Sequence, residues 1–101
     1  MKVVTYSRGS TPISVDDQKR TLHDYAEAHG VEVVAEFEDT APGGTVDPEP
    51  ARLASALDVI RAGFAENLLV CSRDRISRDP PSVSRVEATL REIGGRLLTV
   101  E

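Results

Sequence analysis

The sequence predicts a parallel α/β sandwich, and three observations carry that reading. Four short apolar segments, residues 2–6, 31–37, 67–71 and 97–100, are separated by three longer stretches whose apolar residues recur at helical spacing. Strands and helices therefore alternate with no repeat or low-complexity tract between them, the order that builds βαβ units. Glycines mark the ends of the helical stretches at Gly30, Gly63 and Gly94-Gly95.

Residues 2–6 form a Val-rich, buried first strand, followed by a loop to Ile13. Ser14-Val15-Asp16-Asp17 reads as a capping box, with Ser14 accepting from early N–H groups and the aspartates at the positive end of the helix dipole. The first helix is expected to start near Val15, to place Val15, Gln18, Leu22, Tyr25 and Ala26 on one face, and to stop at Gly30. Residues 31–37 carry β-branched and aromatic residues in partial alternation, as a strand with one wet face should. Residues 38–49 turn to Asp, Thr, Pro and Gly around Pro42-Gly43-Gly44 and predict a mobile loop. Pro50 suits the first turn of a second helix with Leu53, Leu57 and Ile60 on one side. Residues 67–71 are too short for a helix and read as a buried parallel strand. A polar loop, residues 72–81, leads to a third helix capped by Asp79 or Ser82, on which Val83, Val86, Leu90 and Ile93 share a face. Residues 97–100 complete the sheet.

At 101 residues the chain holds one domain with one core, too small for a catalytic domain plus a separate DNA-reading module. Hydrophobic residues make up 40% and charged residues 29%, a soluble composition, and no apolar run is long enough to span a bilayer. With no apolar leader ahead of Lys2-Val3-Val4, the expected compartment is cytoplasmic. The single cysteine, Cys71, agrees and reads as a small buried hydrophobe. A net charge of -5 argues against nucleic-acid binding by bulk electrostatics. Acids concentrate between Glu32 and Asp58, however, while Arg73, Arg75 and Arg78 gather in one loop, so a local positive site is compatible with that total.

Open α/β sheets keep their chemistry at the carboxyl ends of the strands. The loops there carry Arg8 and Ser10, then Asp39 with Gly43-Gly44, then Arg73, Asp74, Arg75 and Arg78. Alone, an Arg-x-Ser pair after a strand reads as a solvated loop. Facing several arginines and an acid, the serine fits attack on a phosphodiester: the arginines would stabilise charge building on phosphorus, and the acid could take part in proton transfer. The arrangement requires no metal or cofactor; no His/Cys/carboxylate set has ligand spacing and no Gly-rich run would cradle a nucleotide. Arg73, His23 and His29 read as solvated charges outside the set.

Four of these segments, in order, resemble motifs of the serine recombinases of the resolvase/invertase type. Tyr6-Ser7-Arg8-Gly9-Ser10-Thr11 is similar to that family's opening Tyr-x-Arg-x-Ser-Thr, and Ser14-Val15-Asp16-Asp17-Gln18 to its Ser-Leu-x-x-Gln. Asp39-Thr40-Ala41-Pro42-Gly43-Gly44-Thr45 is similar to its Asp-x-Gly-x-Ser-Gly, and Asp74-Arg75-Ile76-Ser77-Arg78-Asp79 to its Asp-Arg-Leu-Ser-Arg-Asp. The resemblance implies a three-layer sandwich with a mainly parallel sheet of four strands and three helices, and DNA cleavage and rejoining through a covalent serine-phosphate linkage. Ser10 would be the nucleophile, Arg8, Arg75 and Arg78 would hold the scissile phosphate, and Asp74 would orient an arginine or assist proton transfer. Gln18, Asp39 and Arg52 would complete the substrate-binding set.

The chain departs from the pattern at two places: Gly43 stands where the family carries a serine, and Glu49 stands where it carries an arginine before proline. Losing one transition-state donor costs about 10²- to 10³-fold in rate, and Arg52, three residues after Glu49, is the expected substitute. The family also continues into another strand, a long helix used for dimer and DNA contacts, and usually a DNA-binding domain. Without them, residues 1–101 are expected to form at most a weak oligomer, with duplex DNA, through its phosphate backbone, and a full-length recombinase as partners. Two readings stay open: a recombinase catalytic core, or a degenerate module that binds DNA or a recombinase as a regulator. A generic flavodoxin-like or receiver-like domain is disfavoured, because it would predict bound flavin or an acidic metal pocket after the first strand, and Arg8 and Ser10 are poor substitutes for such acids.

Overall fold

The sheet is built outward from the first strand. In the computed structural model, which describes residues 1–40 and 51–101, β1 (Lys2–Gly9), β2 (Glu32–Thr40), β3 (Asn67–Val70) and β4 (Arg96–Thr99) form one parallel sheet in the order β2-β1-β3-β4. Three helices, α1 (Pro12–His29), α2 (Ala51–Arg61) and α3 (Pro80–Glu92), supply the crossovers. The chain leaves β1 in one direction to reach β2 and returns past β1 to reach β3, so right-handed crossovers put α1 on one face and α2 and α3 on the other. Val3, Leu22 and Leu69 pack together on the α1 side. Val4, Tyr6, Leu53, Ile60, Leu68 and Leu90 are among those forming the larger core on the α2/α3 side. Leu68 and Leu69 are both fully buried, and burying a leucine stabilises by about 1.5–3 kcal/mol, which explains the unbroken apolar run of β3. The three-layer parallel sandwich expected from the sequence is the observed architecture.

This strand order reverses direction between β1 and β3. The connection after β1 leads to α1 on one face and the connection after β3 leads to α3 on the other, which opens a crevice at the carboxyl ends of these two strands.

Several boundaries differ from expectation for physical reasons. α1 starts at Pro12, not near Val15, and its N-cap is Thr11, whose Oγ1 accepts a hydrogen bond from the Ser14 N–H at 3.2 Å. Proline at the first helical position has its φ already set and no N–H to leave unsatisfied, so Thr-Pro outcompetes the Ser14 box. β1 and β2 run past Tyr6 and Phe37 to end together at Gly9 and Thr40, paired in register. Polar Ser7, Glu38 and Asp39 are strand residues because the ladder between β1 and β2 satisfies their main chains. The remainder of the expected mobile loop, with Gly43, Gly44 and Glu49, lies outside the described residues, as does Pro50, expected in the first turn of the second helix. Asp79 is the N-cap residue of α3, but its carboxylate accepts from Ser82 Oγ at 2.6 Å and caps no backbone N–H.

A β-bulge sits in β2. Val3 pairs with Val33, but Val4 pairs with Ala35, so Val34 is an extra residue. Beyond it Ala35, Phe37 and Asp39 follow Val4, Tyr6 and Arg8 onto the α2 side. Glu36 and Glu38 turn toward α1, where Glu36 Oε1 lies 2.5 Å from His23 Nε2 and Glu38 Oε1 lies 3.5 Å from Lys19 Nζ. Deleting Val34 is therefore expected to close the bulge with both halves of the ladder still in register. The deletion variant should unfold cooperatively with Tm lowered by less than about 8 °C, equivalent to about 1 kcal/mol for a domain of this size. Loss of the cooperative thermal transition would contradict this register.

Candidate active site

β3 pairs with β1 only through Val3, Val4 and Thr5, so the end of β1 projects into the crevice with no strand on that side among the described residues. Its exposed main chain is met by a side chain. Arg8 N–H donates to Gln18 Oε1 at 3.1 Å, and Gln18 Nε2 donates back to the Arg8 carbonyl at 2.7 Å and to the Ser14 carbonyl at 3.3 Å. The amide of Gln18, itself only 5% exposed, thus stands in for the missing strand, because buried main-chain polar groups must find partners. Arg75 Nη1 approaches the same Arg8 carbonyl at 3.4 Å, while Arg8 Nη1 lies 3.5 Å from the Ile76 carbonyl. The two arginines fasten the end of β1 to the segment after β3 from both directions.

That segment begins as a 3-10 turn, Arg73–Arg75, closed by Arg75 N–H to Ser72 O and Ile76 N–H to Arg73 O, both at 3.1 Å. Ile76, 1% exposed, buries itself in the α2/α3 core and anchors the turn. Arg73 is exposed, as expected of a solvated loop charge, and pairs at the surface with Glu87 of α3. The Ser72 hydroxyl donates to the Asp74 carboxylate. Arg78 follows Ile76 and is exposed.

On the other flank of β1, Tyr6 is wholly buried and its hydroxyl donates to Asp39 Oδ2 at 2.8 Å. Burial raises the Tyr6 phenol well above its usual range, and the hydrogen bond to Asp39 and the charge of Asp39 push it further; Arg8 opposes this weakly. Asp39 is also the register partner of Arg8 on the neighbouring strand.

Ser10 is exposed directly beyond Gly9. A Cβ on Gly9 would sit 2.7 Å from Ser14 Oγ and 2.9 Å from Ser14 Cβ, so only glycine lets the end of β1 pass this close to the first turn of α1. Between that turn and the 3-10 turn runs an open groove of about 440 Å³ whose walls include Thr11, Ile13, Gln18, Cys71, Ser72 and Arg75. Cys71 is half-buried, not fully buried as expected; its thiol lies 3.6 Å from the Gln18 carbonyl, and burial pushes its pKa up against the pull of Arg75. A raised pKa leaves little thiolate, which argues against a nucleophilic role.

Of the residues singled out from the sequence, Arg8, Gln18 and Arg75 are hydrogen-bonded together, Asp39 joins them through strand register and Tyr6, and Ser10 stands at the rim. Asp74, among the described residues, is hydrogen-bonded to Ser72 and not to Arg75 or Arg78. Arg78 and Arg52 are exposed outside the bonded set, Arg52 on the first turn of α2. Gly43 and Glu49 lie outside the described residues. Among the described residues no group of His, Cys, Asp and Glu is arranged to hold a metal ion. Sequence reasoning missed Ser72, although a serine two residues before an aspartate is the spacing of a local side-chain turn.

Replacing Gln18 with Leu should leave the Arg8 N–H and carbonyl short of partners at a cost of about 1–3 kcal/mol, measured by urea unfolding; an unchanged midpoint and slope would contradict the clamp. The raised Tyr6 phenol sets a pH dependence. The folded state holds that proton more tightly than the unfolded chain, whose phenol titrates near about 10, so this contribution is complete below that pH and is lost as pH rises above it. Urea titrations between about pH 9 and 11 should show stability falling with pH more steeply in the parent than in Tyr6→Phe; equal slopes would contradict the assignment.

The resolvase N-terminal domain family model matches residues 3–101 of the chain. Among solved structures, the N-terminal catalytic domain of TP901-1 integrase is similar at 26% identity and a TM-score of 0.86, covering 99% of this chain and 77% of that one. A resolvase family site-specific recombinase from Streptococcus pneumoniae is similar at 25% identity and a TM-score of 0.84, covering 99% and 72%. The C-terminal catalytic domain of ISC1926 TnpA, an IS607-like serine recombinase, shares the fold at 22% identity and a TM-score of 0.86, covering 100% and 70%. Curated protein sequences give no match. With a family model spanning nearly the whole chain, this chain belongs to the resolvase N-terminal domain family, the catalytic domains of serine recombinases.

Proposed function

We propose that this domain cleaves and rejoins duplex DNA through a covalent Ser10-phosphate linkage. The observation that carries the reading is the bonded set of Arg8, Gln18 and Arg75 beside an exposed Ser10 at the sheet's reversal point. In the forward step Ser10 Oγ bonds to phosphorus, the bond to one deoxyribose oxygen breaks, and that oxygen leaves with a proton. The Ser10 proton passes to Asp74 or to water. Rejoining is the reverse attack by a deoxyribose hydroxyl, which releases Ser10. One phosphoester is exchanged for another throughout, so no cofactor is consumed. Arg8, Arg75 and Arg78 supply positive charge where the pentavalent phosphorus accumulates negative charge. A guanidinium has five N–H donors, so holding one carbonyl orients the fork without exhausting it. Gln18 acts through the main chain of Arg8, Asp39 orients Arg8 across the strands, and Arg52 offsets Glu49. The proposed compartment is the cytoplasm, in keeping with the absence, among the described residues, of any helix long and apolar enough to cross a membrane.

The net charge of -5 favours a second reading, a module that binds DNA or another recombinase and regulates it without turnover. Incubation with nicked or supercoiled DNA separates the two. The first predicts a denaturant-resistant protein-DNA adduct that disappears in Ser10→Ala and falls by about 10²- to 10³-fold in Arg75→Ala. No adduct under forcing conditions, with or without an added full-length recombinase, would overturn it in favour of the second.

A further inference from the structure

We infer that Ser72 is a positioning residue for Asp74, a role that rests on the proposed function above. Ser72 occupies the N-cap position of the 3-10 turn with extended backbone (φ -155, ψ 163), yet its hydroxyl makes no capping bond to a main-chain N–H. A serine at a cap ordinarily accepts from the backbone. Here it donates to a carboxylate oxygen of Asp74 instead. Asp74 is exposed, and among the described residues its carboxylate has no other hydrogen-bond or ion-pair partner.

The surrounding bonds give this contact its purpose. Arg73 is held by Glu87 of α3, and Arg75 is directed at the Arg8 carbonyl. Both arginines flanking Asp74 therefore engage residues outside the turn, while Asp74 is engaged by Ser72 at the turn's own N-cap. Ser72 also borders the groove shared with Gln18 and Arg75. A hydroxyl donated to one oxygen leaves the rest of the carboxylate's acceptor capacity for the Ser10 proton or for an arginine. Ser72 touches no reacting atom and acts through Asp74.

Ser72→Ala, Asp74→Asn and the double variant test this in two measurements on the whole chain. In covalent adduct formation, Ser72→Ala should be about tenfold slower, the lower end of the effect of removing an outer hydrogen bond to a functional ligand. Ser72→Thr should restore the rate, and Ser72→Ala should add nothing in the Asp74→Asn background, because a residue acting through Asp74 is silent once Asp74 is replaced. In amide hydrogen exchange of the free protein, Ser72→Ala should speed exchange at Arg75 and Ile76, but not in an Asp74→Ala background, which has no side-chain acceptor for the Ser72 hydroxyl. A parental rate in Ser72→Ala, or a loss that multiplies fully onto that of Asp74→Asn, would overturn the role. If the parent forms no adduct the reading of the domain as an enzyme fails, and exchange alone then decides whether Ser72 holds Asp74: unchanged exchange at Arg75 and Ile76 overturns it.

Discussion

The site depends on how the main chain of Arg8 is satisfied. A parallel strand whose neighbour stops early must find other partners for its N–H and carbonyl, each costing about 1–3 kcal/mol if buried without one. β3 stops at Val70 because its chain must turn away toward α3, and β1 continues to Gly9. The side-chain amide of Gln18, with one donor end and one acceptor end, fills the place of a strand residue at this position. Lys or Glu offers only one of the two functions. The same carbonyl receives Arg75, so the two strand ends are coupled through a single main-chain group. The direction of the rim that bears Ser10 thus follows from backbone accounting before any catalytic argument is made.

Reaching Arg8 from α1 sets conditions on the helix. Gln18 lies in the second turn, and its rotation about the axis follows from where the helix begins. Thr11 as N-cap and Pro12 as first residue determine that start, and Gly9 allows the first turn to close against β1. On the opposite flank the extra Val34 brings Asp39, and not Glu38, beside Arg8. Capping, close approach and register therefore converge on one arginine from three elements. Pre-organisation of this kind is what electrostatic stabilisation of a phosphoryl transition state requires, since donors already in place need no reorganisation during the reaction.

The alternation of apolar runs made the sandwich legible, because burial of β3 on both faces and of one stripe per helix leaves a direct imprint on residue type. The strand-end residues were legible as a set for the same reason: Arg8, Asp39, Asp74 and Arg75 follow apolar segments too short to be anything but strands. The strand ends themselves were not. Ser7, Glu38 and Asp39 are polar and read as loop, yet pairing between β1 and β2 keeps them extended, a tertiary effect that no local pattern reports. The start of α1 was misplaced because two capping signals compete within four residues, and the Thr-Pro signal prevails through its preset φ. The surface pairing of Arg73 is not legible locally because its partner, Glu87, is fourteen residues away on another element. The bulge at Val34 was invisible for a related reason: an extra residue shows only against the strand it pairs with.

The central claim is that duplex DNA meets this domain at the carboxyl ends of β1 and β3, with its phosphate between the Arg8 and Arg75 side chains. The most direct measurement is an NMR titration of isotope-labelled protein with a short duplex at low salt, following backbone amides and arginine side-chain signals together. The predicted result is a contiguous set of shifts at Arg8, Ser10, Arg75 and Arg78, weakening as salt is added. Shifts confined to the far end of the sheet, around Gly30 and Gly63, or none at all, would contradict it.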